Sequence, residues 1–60
     1  MTKKQILQLL EDRFQQLEMI RIFREEFEEK EGKRGVLERI DRLLDEINEL
    51  KQKLQTFENH

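Results

Sequence analysis

The sequence predicts an all-α fold: a helix-turn-helix hairpin (an αα-hairpin), dimerising into a four-helix bundle or coiled coil. Three observations lead there. The second half places apolar residues at alternating steps of four and three, the seam of a coiled-coil helix. The first residues carry the signals of a helix start. The only two glycines stand close together near the midpoint of a 60-residue chain that has no proline. The expected organisation is one domain over 1–60, with a helix over 3–30, a turn over 31–35 and a helix over 36–58.

The first helix opens at "MTKKQI". Thr2 stands as N-cap with Gln5 three residues on, which is a capping box. Met1 and Ile6 occupy the two positions of a hydrophobic staple. Nothing from Lys3 to Lys30 breaks a helix, and no stretch alternates as a strand does. The apolar residues are uneven. Ile6, Leu7, Leu10, Phe14 and Leu17 share one face, whereas Met19, Ile20, Phe23 and Phe27 share another. The face changes direction near Leu17, which implies that the two halves of this helix meet different neighbours.

The turn is read from "EGKRG", Glu31 to Gly35. Gly32 suits a left-handed residue closing a helix, and Gly35 is an acceptable N-cap with Glu38 at N3. A single long helix through both glycines would cost about 0.8–1.0 kcal/mol at each relative to alanine. The apolar pattern also lapses between Phe27 and Val36, as a reversal requires. Lys30, Lys33 and Arg34 offset the acidic run before the turn, which the macrodipole disfavours at a helix end.

The second helix is regular. Val36, Ile40, Leu43, Ile47, Leu50, Leu54 and Phe57 form its seam, with Ile40, Ile47 and Leu54 at a and Leu43, Leu50 and Phe57 at d. Leu37 and Leu44 widen the stripe toward that of a bundle helix. Two helices alone cannot enclose stripes this wide, whereas two docked hairpins can. Small chains need disulfides, a metal or self-association; with no cysteine and one histidine, self-association is the remedy left. The dimer or hairpin core is expected to hold Ile6, Leu10, Phe14, Leu17, Ile20 and Phe27 from the first helix. Val36, Ile40, Leu43, Ile47, Leu50, Leu54 and Phe57 complete it from the second. A parallel pair of second helices is the rival assembly, supported by attractive Glu46–Lys51 and Lys53–Glu58 pairs.

No catalytic constellation is visible, so no enzyme, cofactor, metal or small-molecule substrate is expected. Serine and cysteine nucleophiles are absent from the chain, and His60 is read as a solvated terminal residue. "GKRG" lacks the spacing of a phosphate-binding loop. Glu25, Glu26, Glu28, Glu29 and Glu31 are read as a solvated acidic face, since a bundle metal site needs Glu-x-x-His partners. The net charge of −2 provides no global field for nucleic acid or an anionic membrane. No apolar run is long enough to cross a bilayer, and the expected setting is cytoplasmic.

A hairpin of this length that dimerises into a four-helix bundle resembles the Rop family, plasmid proteins that bind paired RNA loops. The likeness in sequence lies in the opening "MTK" and the pair Arg13–Phe14. It implies an RNA-binding face on the first helix, with Lys3 and Phe14 as contacts. The family's other contact positions fall here on Leu10, Glu18 and Glu25. On the residues themselves, a nucleic-acid interface would gather Lys3, Arg13 and Arg21, with Glu11, Asp12 and Glu18 interleaved among them.

The leading functional expectation is a small homodimeric protein that regulates or adapts another protein by binding it. The candidate contact is "MIRIF": Met19, Arg21, Ile22, Phe23, followed by Arg24. Its apolar residues point in more directions than one core uses, and arginine beside exposed apolar surface suits a binding patch. RNA binding and a purely structural oligomerisation role are the alternatives.

Overall fold

The computed structural model describes residues 1–58 and contains two α-helices that pack against each other, α1 over Lys3–Ile22 and α2 over Arg24–Glu58. The reading of His60 lies outside the described residues. The capping box predicted for the start of α1 is formed. The Gln5 amide donates to the Thr2 hydroxyl at 3.2 Å, and the Thr2 amide donates to the Gln5 side-chain oxygen at 2.9 Å. Two of the orphan donors of a helix N-terminus are thereby satisfied.

Two departures from helical geometry matter. At Phe23 the backbone shifts to φ −106°, ψ 33°, and this separates α1 from α2. The hydrogen-bond ladder still crosses it: Phe23 N–H donates to Met19 at 2.9 Å, and Phe27 N–H donates to Phe23 at 3.1 Å. Phe23 is therefore a local distortion, and the chain keeps its course. The sequence reading ran one helix through this point to residue 30.

The reversal lies at Gly32, inside the span of α2. Its φ of 79° and ψ of 159° are the one non-helical pair within that element. The expected positive φ is present, although the ψ belongs to an extended region that only glycine visits readily. The turn expected over 31–35 is thus concentrated in one residue. Gly35 is part of the following helical turn rather than a cap. A Cβ there would stand 3.2 Å from the Cβ of Glu31, so the backbone folds back tightly at this point.

Residues 33–58 then run antiparallel to the first arm. The molecule measures 46 × 16 × 14 Å, close to the roughly 42 Å of a 28-residue helix at 1.5 Å per residue. The interior consists of two clusters. Ile6 and Leu10 pack with Ile47 and Leu50 at the open end, with Leu9, Leu17 and Leu54 against them. Ile20 packs with Val36 and Leu43 at the turn end, with Leu17, Phe27 and Ile40 against them. The seam of the second helix is thus occupied by the chain's own first helix, the surface that the rival parallel pairing would have used.

The first arm has a seam of its own that composition conceals. Ile6, Leu10, Arg13, Leu17, Ile20, Arg24 and Phe27 follow one another at steps of four and three. Arginine holds two of those places. Phe14, expected in the core, sits one residue off this line and is 48% exposed. Phe57, also expected in the core, is 42% exposed and belongs to neither interior cluster. Of Met19, Ile20, Phe23 and Phe27, only Ile20 and Phe27 reach the inner clusters; Met19 and Phe23 stay at the surface.

Candidate interaction surfaces

Arg13 explains how a cation can stand in an apolar seam. Its stem follows the seam while its guanidinium leaves sideways to Glu46 on the opposite arm and Asp12 beside it. Long cationic side chains cover apolar surface in this way while keeping their charge near water. The hydrogen bond that Arg13 donates to Glu46 raises the Arg13 pKa above its ordinary value, against the opposing effect of desolvation. Gln16 adds an amide hydrogen bond to Asp12 at 2.9 Å. Arg13–Glu46 links the two arms between the apolar clusters. Glu46 is partly exposed, so replacing it with alanine is expected to lower stability by only about 0.5–1 kcal/mol. Thermal unfolding followed by circular dichroism checks this.

A second link between segments closes the turn. Arg39 donates to Glu31 through two nitrogens at 2.7 and 3.1 Å, and its guanidinium carbon lies 5.9 Å from the Phe27 ring centroid. Such a stack contributes about 0.5–1 kcal/mol at an exposed site. Here an acid that the helix dipole disfavours at a C-terminus is tied to the returning arm by Arg39, in addition to the offset expected from Lys30, Lys33 and Arg34.

The five residues singled out in "MIRIF" and at Arg24 divide between two neighbouring hollows. Met19 and Phe23 join Phe27, Glu26 and Lys30 around one. Ile22, 60% exposed, joins Arg21, Arg24, Glu25, Glu26 and Glu28 around the other. Neither arginine is free: Arg21 pairs with Glu18, and Arg24 lies 3.3 Å from Glu28. Arg21 holds the Glu18 carboxyl below its usual range through a hydrogen bond and its charge. Because that folded pKa is depressed, the pair acts at neutral pH and is lost as pH falls through the carboxylate range. Of the residues proposed for nucleic acid, Arg13 and Arg21 are both engaged with carboxylates, and Phe14 lies under the Lys51 ammonium, 5.9 Å from its ring centroid.

The structure also shows an apolar stripe, of which the expected core includes only Phe14. Leu7, Phe14, Leu37 and Leu44 are each between 45% and 52% exposed. Each immediately follows a seam residue: Ile6, Arg13, Val36 and Leu43. In an antiparallel pair, the positions that follow the seam on the two arms flank the same edge of it. Lys51, the next such position after Leu44, confirms the side by its approach to Phe14. The opposite edge carries Leu9, Glu46 and Lys53 around a separate hollow. The signal was present in the sequence as heptad spacing one place out of phase with the seam. In the sequence Leu37 and Leu44 mark a widened stripe, whereas Leu7 and Phe14 share a face with Ile6, Leu10 and Leu17.

Among the described residues, no helix is long and apolar enough to cross a membrane, and no group of His, Cys, Asp and Glu is placed to hold a metal ion. No protein-family model, curated protein or solved structure matches the chain.

Proposed function

We propose that this hairpin is a non-enzymatic protein-interaction module that self-associates and acts as a regulator or adaptor by docking on another protein. The observation that supports this reading best is the exposure of Met19, Ile22 and Phe23, at 53, 60 and 46%, close together near the turn end. Isolated apolar residues on a surface are ordinary; several together, rimmed by ion-paired arginine and glutamate, suit a contact surface. Methionine repacks against varied partners at little cost. About half of each side chain is already buried, so covering the rest contributes about 0.8–1.5 kcal/mol each, and three of them supply the centre of a small interface.

Affinity capture from the native host's lysate tests this, comparing the unaltered chain with a Met19→Glu/Phe23→Glu variant. The expected result is a protein retained after nuclease treatment and reduced at least about tenfold with the variant. Retention that disappears with nuclease would assign nucleic acid instead. Equal retention by both proteins would remove Met19 and Phe23 from the interface.

A further inference from the structure

The exposed stripe calls for a cover, and the dimensions of the molecule indicate its size. A compact monomer of 7.5 kDa exposes about 4,250 Å² by the usual scaling of surface with mass. This hairpin exposes 5,089 Å². The excess of about 800 Å² equals the area that one partner contributes to a standard stable interface. The interior is correspondingly thin: two separate clusters with Ile6 and Val36 as their only side chains below 2% exposure among the described residues.

The excess has a place. Leu7, Phe14, Leu37 and Leu44 line one edge of the seam over most of its length, two from each arm. Arg21 and Lys51 continue the same two series beyond them. The four leucine and phenylalanine side chains are half-buried by the hairpin alone. Their free halves face one way, and a second pair of helices laid there would make four-helix packing. The opposite edge could not receive it on equal terms. Arg13, Arg39, Glu46 and Lys53 lie along it, and Arg13 and Glu46 are already paired across the arms.

We infer that a second copy of this chain covers the Leu7–Phe14–Leu37–Leu44 edge, giving a twofold-symmetric dimer of hairpins. This deepens the self-association part of the function proposed above and rests on it. A twofold contact uses the same patch on both subunits, so the apolar edge meets its own image. Lys51 and Arg21 at its ends then lay their stems over the partner's apolar surface while their charges reach water. Met19, Ile22 and Phe23 stand outside this edge and remain available to another protein.

Multi-angle light scattering over a concentration series is the first measurement, on the full chain. The expected mass is twice that of the chain. Leu44→Glu is expected to raise the dimer dissociation constant at least about a hundredfold, and Met19→Glu to change it less than about threefold. Because a variant deprived of its partner can also unfold, position is tested separately by cross-linking in the otherwise unaltered protein. Leu44→Cys treated with a short bismaleimide is expected to yield covalent dimers. Lys53→Cys, on the other edge, is expected to yield few. A stable monomer of the unaltered chain would overturn both this inference and the self-association it rests on. A dimer that cross-links at 53 and not at 44 would overturn the assigned edge while leaving self-association intact.

Discussion

Replacing Ile6 with alanine is expected to remove most of the stability of the fold. Ile6 is fully buried at the open end, between Leu10 on its own helix and Ile47 and Leu50 on the returning arm. Truncation removes the transfer free energy of the lost methyl and methylene groups and leaves a cavity, about 2–5 kcal/mol together. A domain of this size has on the order of 3–9 kcal/mol in total. Urea unfolding of the variant should therefore show a midpoint shifted far toward zero denaturant, or no folded baseline. Ile6→Val keeps most of the volume and is expected to cost only about 0.5–1.5 kcal/mol. A small loss for Ile6→Ala would mean that the arms do not pack as described.

Gly32 is the second position where a single change has a large expected effect. An added Cβ would meet nothing within 4 Å, so the cost of alanine there is conformational. At φ 79°, ψ 159° an L-residue is strained by about 1–3 kcal/mol. A β-branched valine, with χ1 already restricted, lies at the upper end. Alanine also favours the helix interior by about 1 kcal/mol over glycine. Gly32→Ala therefore penalises the reversal and favours a straight continuation in one step. The expected result is lower thermal stability and a population of extended chains exchanging arms between copies, as short strained hinges permit. Spin labels at positions 8 and 55, diluted with unlabelled protein, should report a short distance in the unaltered chain. In the variant they should gain a component near 70 Å, the length of the intervening residues as one helix. Gly35→Ala is the control. It gains the same propensity but brings a Cβ to 3.2 Å from that of Glu31, so its net effect should stay within about 1 kcal/mol of zero.

The sequence was most legible where one rule acted alone. On the second arm every seam position is apolar, so the 3.5-residue period could be read directly, and the hairpin buries Val36, Leu43, Ile47 and Leu50 along it. Thr2 and Gln5 lie three residues apart in the chain and need no tertiary information to form their cap. The first arm was harder because Arg13 and Arg24 occupy two seam positions. Counting apolar residues then favours Phe14 over Arg13, although the arginine stem keeps the seam and the ring moves to the flank. The pairing of Arg13 with Glu46 joins residues from opposite arms, and no local pattern announces it. The distortion at Phe23 has no glycine or proline to mark it. The surface that bears on function was half legible: Leu37 and Leu44 indicated a stripe wider than one seam. Their alignment with Leu7 and Phe14 required the register of the two arms.

Leu17 is the one side chain that packs on both interior clusters among the described residues, and this shapes how the molecule folds. The turn-end cluster joins residues close to the reversal, so its loop closure costs less entropy than that of the open end. Folding should begin beside Gly32 and proceed as a zipper toward the termini, on the fast timescale of helical chains with local contacts. Unfolding runs the other way. The open end can separate while Ile20, Val36 and Leu43 stay together, because only Leu17 and the neighbouring Arg13–Glu46 pair couple the two clusters. Amide exchange should then grade along the long axis, with the backbone around Ile6 and Leu50 opening before the backbone around Ile20 and Leu43.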